Sequence, residues 1–355
     1  MPYTAIFNNI ISEYYGGDII DNATQGRSTG KFLMQYHETD WDLIRRFASH
    51  FNAVLVPYTK SENPKFFIGL PERKSQGQLE EFEYEISRNI TDFRRSKENE
   101  NKNLNNNDCT IYKVYTDKIM ELGDQIQYKD TSLFICEANI EMKRSVIKNL
   151  YILTTRNGFS YDTYYNDQII GLSVQGDVIE TSTDMLKLHM CIDEHQNKPK
   201  AHFFKYSTMY TASGNSGFYC MPELGDVVFA YFPSNKEWEG ITFNGARMNE
   251  NKDDKLSDPD IKYMRTKYGK EIKFSPDEIL ITAVDDEIFI KINENTGIEM
   301  FSVKPIKFHT KENLSFEADK NIYMVAMDEI NITCKTSKIK MDSNIIIQGL
   351  EVRHN

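Results

Sequence analysis

Between Ile298 and Ile332 the chain repeats one small pattern of apolar and polar positions. It reads Ile298-Glu-Met300, Ile306-Lys-Phe308, Leu314-Ser-Phe316, Ile322-Tyr-Met324 and Ile330-Asn-Ile332, each start eight residues after the last. Apolar residues at the first and third places with a mostly polar one between give the two-residue alternation of a half-buried strand. Looser copies flank the run at Ile272-Lys-Phe274, Ile279-Leu-Ile281 and Ile288-Phe-Ile290, then at Ile339-Lys-Met341 and Ile345-Ile-Ile347. A fixed period of this kind predicts a stacked, quasi-one-dimensional architecture.

Earlier in the chain the pattern changes. Phe32 to Tyr36 alternates and predicts a strand, Thr39 or Asp40 suits an N-cap, and Trp41, Ile44, Phe47 and Ala48 share one face of a following helix. Ala53 to Pro57 and Lys65 to Gly69 predict short strands, as do stretches between Leu79 and Thr154. The polar segment Lys97–Asp108 predicts a solvated loop or insertion. From Gly171 to Gly245 five short strands with Gly and Pro turns predict a small closed barrel of the OB type. Pro222 and Gly225 set a turn there, and Asp226 can accept backbone hydrogen bonds at its exit.

Two stretches carry a resemblance to a known family. Gln35-Tyr-His-Glu-Thr-Asp-Trp-Asp-Leu-Ile-Arg-Arg is similar to the segment Q-Y-x-E-[ST]-D-[WF]-x-[FL]-[LI]-x-R of phage late-control D proteins and VgrG-type spike proteins. Met221-Pro-Glu-Leu-Gly-Asp-Val-Val-Phe-Ala-Tyr-Phe resembles the same family's P-x-x-G-[DE]-x-V-x-V-x-F strand, and Ile241-Thr-Phe-Asn-Gly245 its closing turn. Thr266-Lys-Tyr-Gly-Lys-Glu-Ile-Lys-Phe274 looks like the opening of the VgrG needle. The family's G-R-V before the second barrel strand is replaced here by Asp184-Met-Leu-Lys. Fewer residues precede the first motif than in family members, so the resemblance implies a shortened hub, or a first hub barrel supplied elsewhere.

The resemblance implies a mainly β chain with a barrel-like hub over 1–157, an OB-fold barrel over 168–247, a linker over 248–262, and an intertwined trimeric β-helix with an octad repeat over 263–355. One octad supplies one strand and one corner. Three consecutive octads could close a coil within a single chain, so the period leaves monomer and trimer open. The family resemblance and the thin core of two apolar side chains per octad favour three interwound chains, which would pair every strand and remove lateral edges. Ten triplets at ~4.8 Å spacing give a shaft of roughly 50 Å.

Residues given a structural part are Asp40, Trp41 and Phe47 in the helix, Pro222, Gly225, Asp226 and Gly245 in the barrel, and the ten apolar positions of the central octads: Ile298, Met300, Ile306, Phe308, Leu314, Phe316, Ile322, Met324, Ile330 and Ile332.

Composition and charge narrow the functional reading. A net charge of −11 disfavours a phosphate backbone or anionic membrane as partner for the whole surface. The barrel strands lack the cations that hold a single nucleic-acid strand, so no nucleic acid is expected. Cys109, Cys136, Cys191, Cys220 and Cys334 are scattered without a CxxC pair, which argues for free thiols. His37 with Glu38 and Asp40, Cys191 with His195 and His202, and His354 are the metal candidates, and each is read as cap, surface imidazole or chain end. No cofactor, metal or catalytic residue is expected, because no nucleophile and base share a motif.

The chain has neither a Sec-type start nor an apolar run long enough to span a bilayer, so assembly in the cytoplasm and delivery to the exterior in a particle are expected. About twenty residues separate Gly245 from the first repeat strand, below the ~50 of a domain, so no cell-wall hydrolase is expected there. No effector domain is expected after the last triplet. The implied function is a non-enzymatic, homotrimeric spike and hub of a contractile injection system, whether phage tail, tailocin or type VI-like. Its implied partners are tube protein, baseplate wedge proteins and a PAAR-like tip protein, and it would contact the target-cell envelope mechanically. The alternative is an OB-fold carbohydrate-binding adhesin on a trimeric β-stalk.

Overall fold

The first helix follows from spacing alone. Tyr3, Phe7 and Ile11 recur every four residues on α1 (Tyr3–Ile11), and all three are buried. We describe a computed structural model of the chain, which covers residues 1–88, 90, 104–143, 146–160, 162–208, 210–212, 216–246 and 258–341. Its contacts divide into two compact units, Met1–Asn249 and Glu250–Asn355. It is mainly β, with closed and open sheets.

In the first unit, α1 and α2 (Asp40–Ser49) cover a three-stranded sheet of β1 (Asp18–Asp21), β2 (Leu55–Pro57) and β3 (Lys65–Ile68), ordered β1-β3-β2 with β1 parallel to β3. Phe7, Ile44, Phe47, Ala48 and Ile68 form its dry centre. The next sheet is antiparallel and open. It orders β4 (Tyr84–Arg88), β5 (Thr110–Thr116), β6 (Gln125–Tyr128), β7 (Thr131–Lys143) and β8 (Val146–Thr154) as β4-β5-β8-β7-β6 around Val114, Ile135, Tyr151 and Leu153. The hub region is therefore a helix-covered sheet and an open sheet, with no closed barrel among its described residues.

A closed barrel follows. β9 (Ser173–Ser182), β10 (Met185–Met190), β11 (Phe203–Ser207), β14 (Val227–Tyr231) and β15 (Ile241–Ala246) join in the order β10-β11-β15-β14-β9, and a small hairpin of β12 (Tyr210–Ala212) and β13 (Ser216–Phe218) is inserted between β11 and β14. Alternation fills the barrel with Val174, Val178, Leu186, Leu188, Phe204, Val228 and Ala230. Gly240 fits where nothing larger would, since a Cβ there would stand 2.9 Å from the Phe232 ring and 3.1 Å from Phe204. Gly225 occupies the left-handed region at φ +89°, and Asp226 accepts the Glu223 N–H at 2.7 Å across the turn.

The second unit opens with an antiparallel meander, β16 (Lys262–Arg265), β17 (Glu271–Phe274), β18 (Glu278–Val284), β19 (Ile288–Asn293) and β20 (Gly297–Ser302). Residues 303–329 carry no strand. β21 (Ile330–Cys334) and β22 (Ser337–Met341) then form a hairpin. Of the five central octads, only the triplets at Ile298 and Ile330 lie in strands. The triplets at Ile306, Leu314 and Ile322 correct the strand expectation, for a physical reason: a strand is defined by its ladder, and within one chain these segments have no edge to pair with. The triplet Ile345–Ile347, His354 and most of the linker 248–262 lie outside the described residues.

Candidate functional site

Two places stand out, one in each unit. The first begins with the segment before α2. Phe32 to Tyr36, expected as a strand, belongs to no sheet. Met34 is buried in the barrel core instead, and Phe32 packs edge-on to Phe204 at 5.0 Å and parallel to Phe232 at 6.2 Å. The alternation was real, but its apolar side faces a closed barrel rather than a sheet neighbour.

The helix that follows starts at Thr39, whose Oγ1 accepts the Asp42 N–H at 3.2 Å. Capping there aims Arg46 inward. Arg46 is 1% exposed, and every arm of its fork is engaged. Nε donates to Glu38 at 3.0 Å and Nη2 to the other Glu38 oxygen at 2.5 Å, Nη2 also reaches the Met34 carbonyl at 3.0 Å, and Nη1 meets Glu237 at 2.6 Å. Glu237 belongs to the one-turn 3-10 segment Glu237–Glu239 beside the barrel, and it is fully buried. One guanidinium thus ties α2, the Phe32–Tyr36 segment and the turn beside the barrel together, with Arg46 and Glu237 191 residues apart in sequence.

The site holds two carboxylates against one guanidinium. Burial pushes the Glu237 carboxyl above its ordinary range, and the attraction of Arg46 offsets this only in part. His50, one turn on, is drawn down to about 4, first by burial and then by the charges of Arg46 and Lys31, so it is neutral near pH 7. Its Nδ1 lies 3.2 Å from the Tyr3 hydroxyl and its ring 5.5 Å from that of Tyr165. The connection between hub and barrel is nailed down as well. Asn166 donates to the Tyr36 carbonyl at 2.7 Å, the Tyr164 N–H to Ser49 Oγ at 3.2 Å, and Trp238 sits edge-on to Tyr165 beneath the Lys31 ammonium at 3.8 Å.

Sequence reasoning missed this site. Glu38 and Arg46 are both fixed letters of the motif at residues 35–46, and an arginine beside Ile44 and Phe47 on an amphipathic helix was a usable hint, but no spacing signal connects them to Glu237. The His37, Glu38 and Asp40 cluster does not form. Glu38 serves Arg46, Asp40 accepts from Tyr14 Oη at 2.8 Å and from Gln35 at 2.9 Å, and the His37 ring lies against Tyr36. His202 stacks on Phe32 and burial lowers its pKa, while Cys191 is exposed. Trp41 is 43% exposed and edge-on to Phe66, whereas Phe47 is fully packed. Gly245 lies in β15 opposite Val228, and Pro222 precedes the Gly225 turn.

The second place is one face of the meander. Register lines up Met264, Ile272, Ile281, Ile290 and Met300 in one row and Phe274, Ile279, Ile292 and Ile298 in the next. Ile290 is partly covered and the other eight are exposed. The opposite face carries ion pairs instead, Lys273 with Glu278, Lys291 with Glu299, and Arg265 with Glu271 and Asp285. Beyond it, bends recur at 303–304, 311–312, 319–320 and 327–328, again every eight residues. Between them Ile306, Leu314 and Ile322 are 50 to 54% exposed, and Phe308, Phe316 and Met324 are each 60% exposed. The backbone repeats as regularly as the sequence.

No family model matches this chain, and no curated protein does. Solved structures do. A chain of the half-lidded PdpA-VgrG complex of Francisella aligns at TM-score 0.51 with 9% identity, over 84% of this chain and 68% of that one. A chain of the lidded complex aligns at 0.50 with 9% identity, over 84% and 62%. The chain has a VgrG-type spike fold. The E. coli c3393 protein, described as a type VI secretion component similar to the T4 tail proteins gp27 and gp5, aligns at 0.46 with 12% identity over 70% of this chain and 72% of its own. No described helix is long and apolar enough to cross a membrane.

Proposed function

We propose that the chain is the structural spike and hub of a contractile injection system and that it works as a homotrimer whose second unit winds into a needle. The carrying observation is the nine-residue apolar face of the meander, open in a single chain and continued by octads that bend at a constant interval. Exposed apolar rows of this extent mark an interaction surface. A one-to-one sheet stack would suit the meander but would leave the octads without ladder partners. Three interwound copies answer both needs, since each six-residue segment gains a neighbour on either side and its first and third side chains turn to a common axis.

The work of such a spike is mechanical and involves no catalysis. The Arg46 cluster keeps hub and barrel from hinging, and the needle concentrates axial force on a small area. The hub over 1–157 would meet tube protein and baseplate wedges, the barrel over 168–247 would join it to the needle over 263–355, and a PAAR-like protein would close the tip. Assembly would take place in the cytoplasm and export in the particle. Light scattering on the purified full chain tests the core of this reading: a mass of three chains supports it, and a stable single chain sinks it. A pull-down with tube protein, set against a glycan array, separates it from an adhesin on a β-stalk.

A further inference from the structure

Each bend of the octad run is charged at its second residue, and the sign alternates. The residues are Lys304, Glu312, Lys320 and Asp328, all exposed. In the two middle bends the first residue carries the opposite charge, Lys311 beside Glu312 and Asp319 beside Lys320. Laid one above the other, these two bends form a checkerboard in which every charge has opposite charges beside it and above or below it. The ion pairs described in the second unit belong to the meander, at Arg265, Lys273 and Lys291. The pattern at the bends is therefore one that a single chain leaves unused.

How octads stack decides what the pattern does. Equal positions of stacked parallel segments stand one strand spacing apart, ~4.8 Å, where opposite charges attract and like charges repel. An octad laid beside the same octad of another copy puts Lys304 on Lys304 and Glu312 on Glu312. An offset of two octads puts Lys304 on Lys320 and Glu312 on Asp328. An offset of three, which a coil closed within one chain requires, pairs Lys304 with Asp328 but sets Lys311 on Lys335. Of these arrangements only an offset of one makes every charged pair at the bends opposite: Lys304 with Glu312, Glu312 with Lys320, Lys320 with Asp328, and Lys311 with Asp319.

We infer that the bend charges set the register between copies of this chain, each octad lying beside the next octad of a neighbouring copy; the inference rests on the trimeric reading above. Interwinding supplies that offset. When three chains each turn a third of the way round a common axis per octad, the segment above a given octad on the same face belongs to the neighbouring copy and is one octad further along. The apolar places cannot fix this register, because Ile306, Leu314 and Ile322 offer nearly the same side chain at each level. A slip of one octad in either direction keeps the apolar axis and turns the contacts at the bends repulsive. One exposed ion pair contributes little, but threefold winding repeats each pair three times, and the repulsion in slipped registers adds discrimination against them.

Disulfide trapping on the full chain, with the exposed Cys191, Cys220 and Cys334 changed to serine, tests the register. Ser315 and Tyr323 hold the same place between the two apolar positions of successive octads. The double variant Ser315→Cys with Tyr323→Cys should oxidise to covalent trimers, since a ~4.8 Å separation lies within the reach of a disulfide. Neither single variant should link copies. Charge supplies a second readout. Glu312→Lys should lower the temperature at which the trimer dissociates by several degrees, and the loss should shrink in about 1 M salt. Reversing the other five bend charges as well, with Lys304→Glu, Lys311→Glu, Asp319→Lys, Lys320→Glu and Asp328→Lys, should restore most of it. A trimer whose double-cysteine variant stays unlinked, or whose Ser315→Cys variant links by itself, overturns the register and leaves the spike reading intact. A Glu312→Lys trimer as stable as wild type, or a fully reversed set no more stable than Glu312→Lys, overturns the part given to the charges. A single-chain mass for the wild type overturns both the register and the trimer.

Discussion

The barrel and the meander are built from the same period-two alternation, yet they end differently. In the barrel the inward-facing apolar side chains are covered, because five strands close on themselves and the Met34 segment packs into their core. In the meander the alternation is interrupted at Leu280 and Phe289, yet one face still gathers apolar residues, and it stays open along two rows of the register. What separates them is closure, and closure depends on which edges find partners. The barrel finds them within its own chain, whereas the described residues of the second unit leave them open; on the proposed reading, other copies supply them. The first unit should therefore behave as a folding problem and the second as an assembly problem, and mutations should separate the two.

The largest effect is expected in the second unit. On the proposed trimeric reading, Phe316→Asp would bring three carboxylates to the axis of a wound needle, where each unpaired charge costs several kcal/mol. The light-scattering mass should fall from three chains to one, while the thermal transition of the first unit stays where it was. A trimeric mass for this variant would show that the octads do not hold the assembly.

Arg46→Met is the counterpart in the first unit. It strands Glu38 and Glu237 without their cation, and breaking a buried pair in this way costs about 3–5 kcal/mol. Calorimetry on the full chain should show the first unit's transition lowered with the mass unchanged. A shift of less than a degree would mean that the cluster holds nothing together.

These two experiments also show what could be read from sequence. The octads were legible because their signal is local and repeated: eight residues, two apolar places, five times over. The barrel was legible from its alternation and from turn chemistry at Pro222, Gly225 and Asp226. The Phe32–Tyr36 segment was half-legible, since Phe32, Met34 and Tyr36 alternate as a strand would, but alternation names a face and not what covers it. The Arg46–Glu237 pair was illegible because its partners lie 191 residues apart and the motif that ends on Arg46 holds nothing that names Glu237. Helix α1 went unread although Tyr3, Phe7 and Ile11 follow the helical spacing.

The pH profile sharpens the contrast further. His50 titrates at about 4 in the fold, below the ordinary 6.5. Its contribution is therefore fully present above pH 6.5 and is lost as pH falls from there toward 4, with a size on the order of 2–3 kcal/mol. Glu237 has the opposite sign. Its pKa is raised in the fold, so its contribution is present below its ordinary value and is lost as pH rises through the raised one. The first unit should melt at progressively lower temperature between pH 6.5 and 4, and His50→Phe should flatten that slope. Glu237→Gln should remove the dependence on the other side. An unchanged slope in His50→Phe would place the acid sensitivity in other groups.

The smallest effect is the most specific. Thr39 caps the helix that delivers Arg46, through its Oγ1 and the Asp42 N–H. Thr39→Ala leaves that donor to water and should cost about 1 kcal/mol. Its consequence should reach Arg46 only through the first turn of α2, so adding Thr39→Ala to Arg46→Met should cost less than the two losses summed, by an interaction term of about 0.5 kcal/mol or more. If cap and cluster were independent, the losses would add, and the helix start would then be a local feature with no part in holding the barrel to the hub. Neither variant should change the trimeric mass, because nothing in the cap touches the face that assembly must cover.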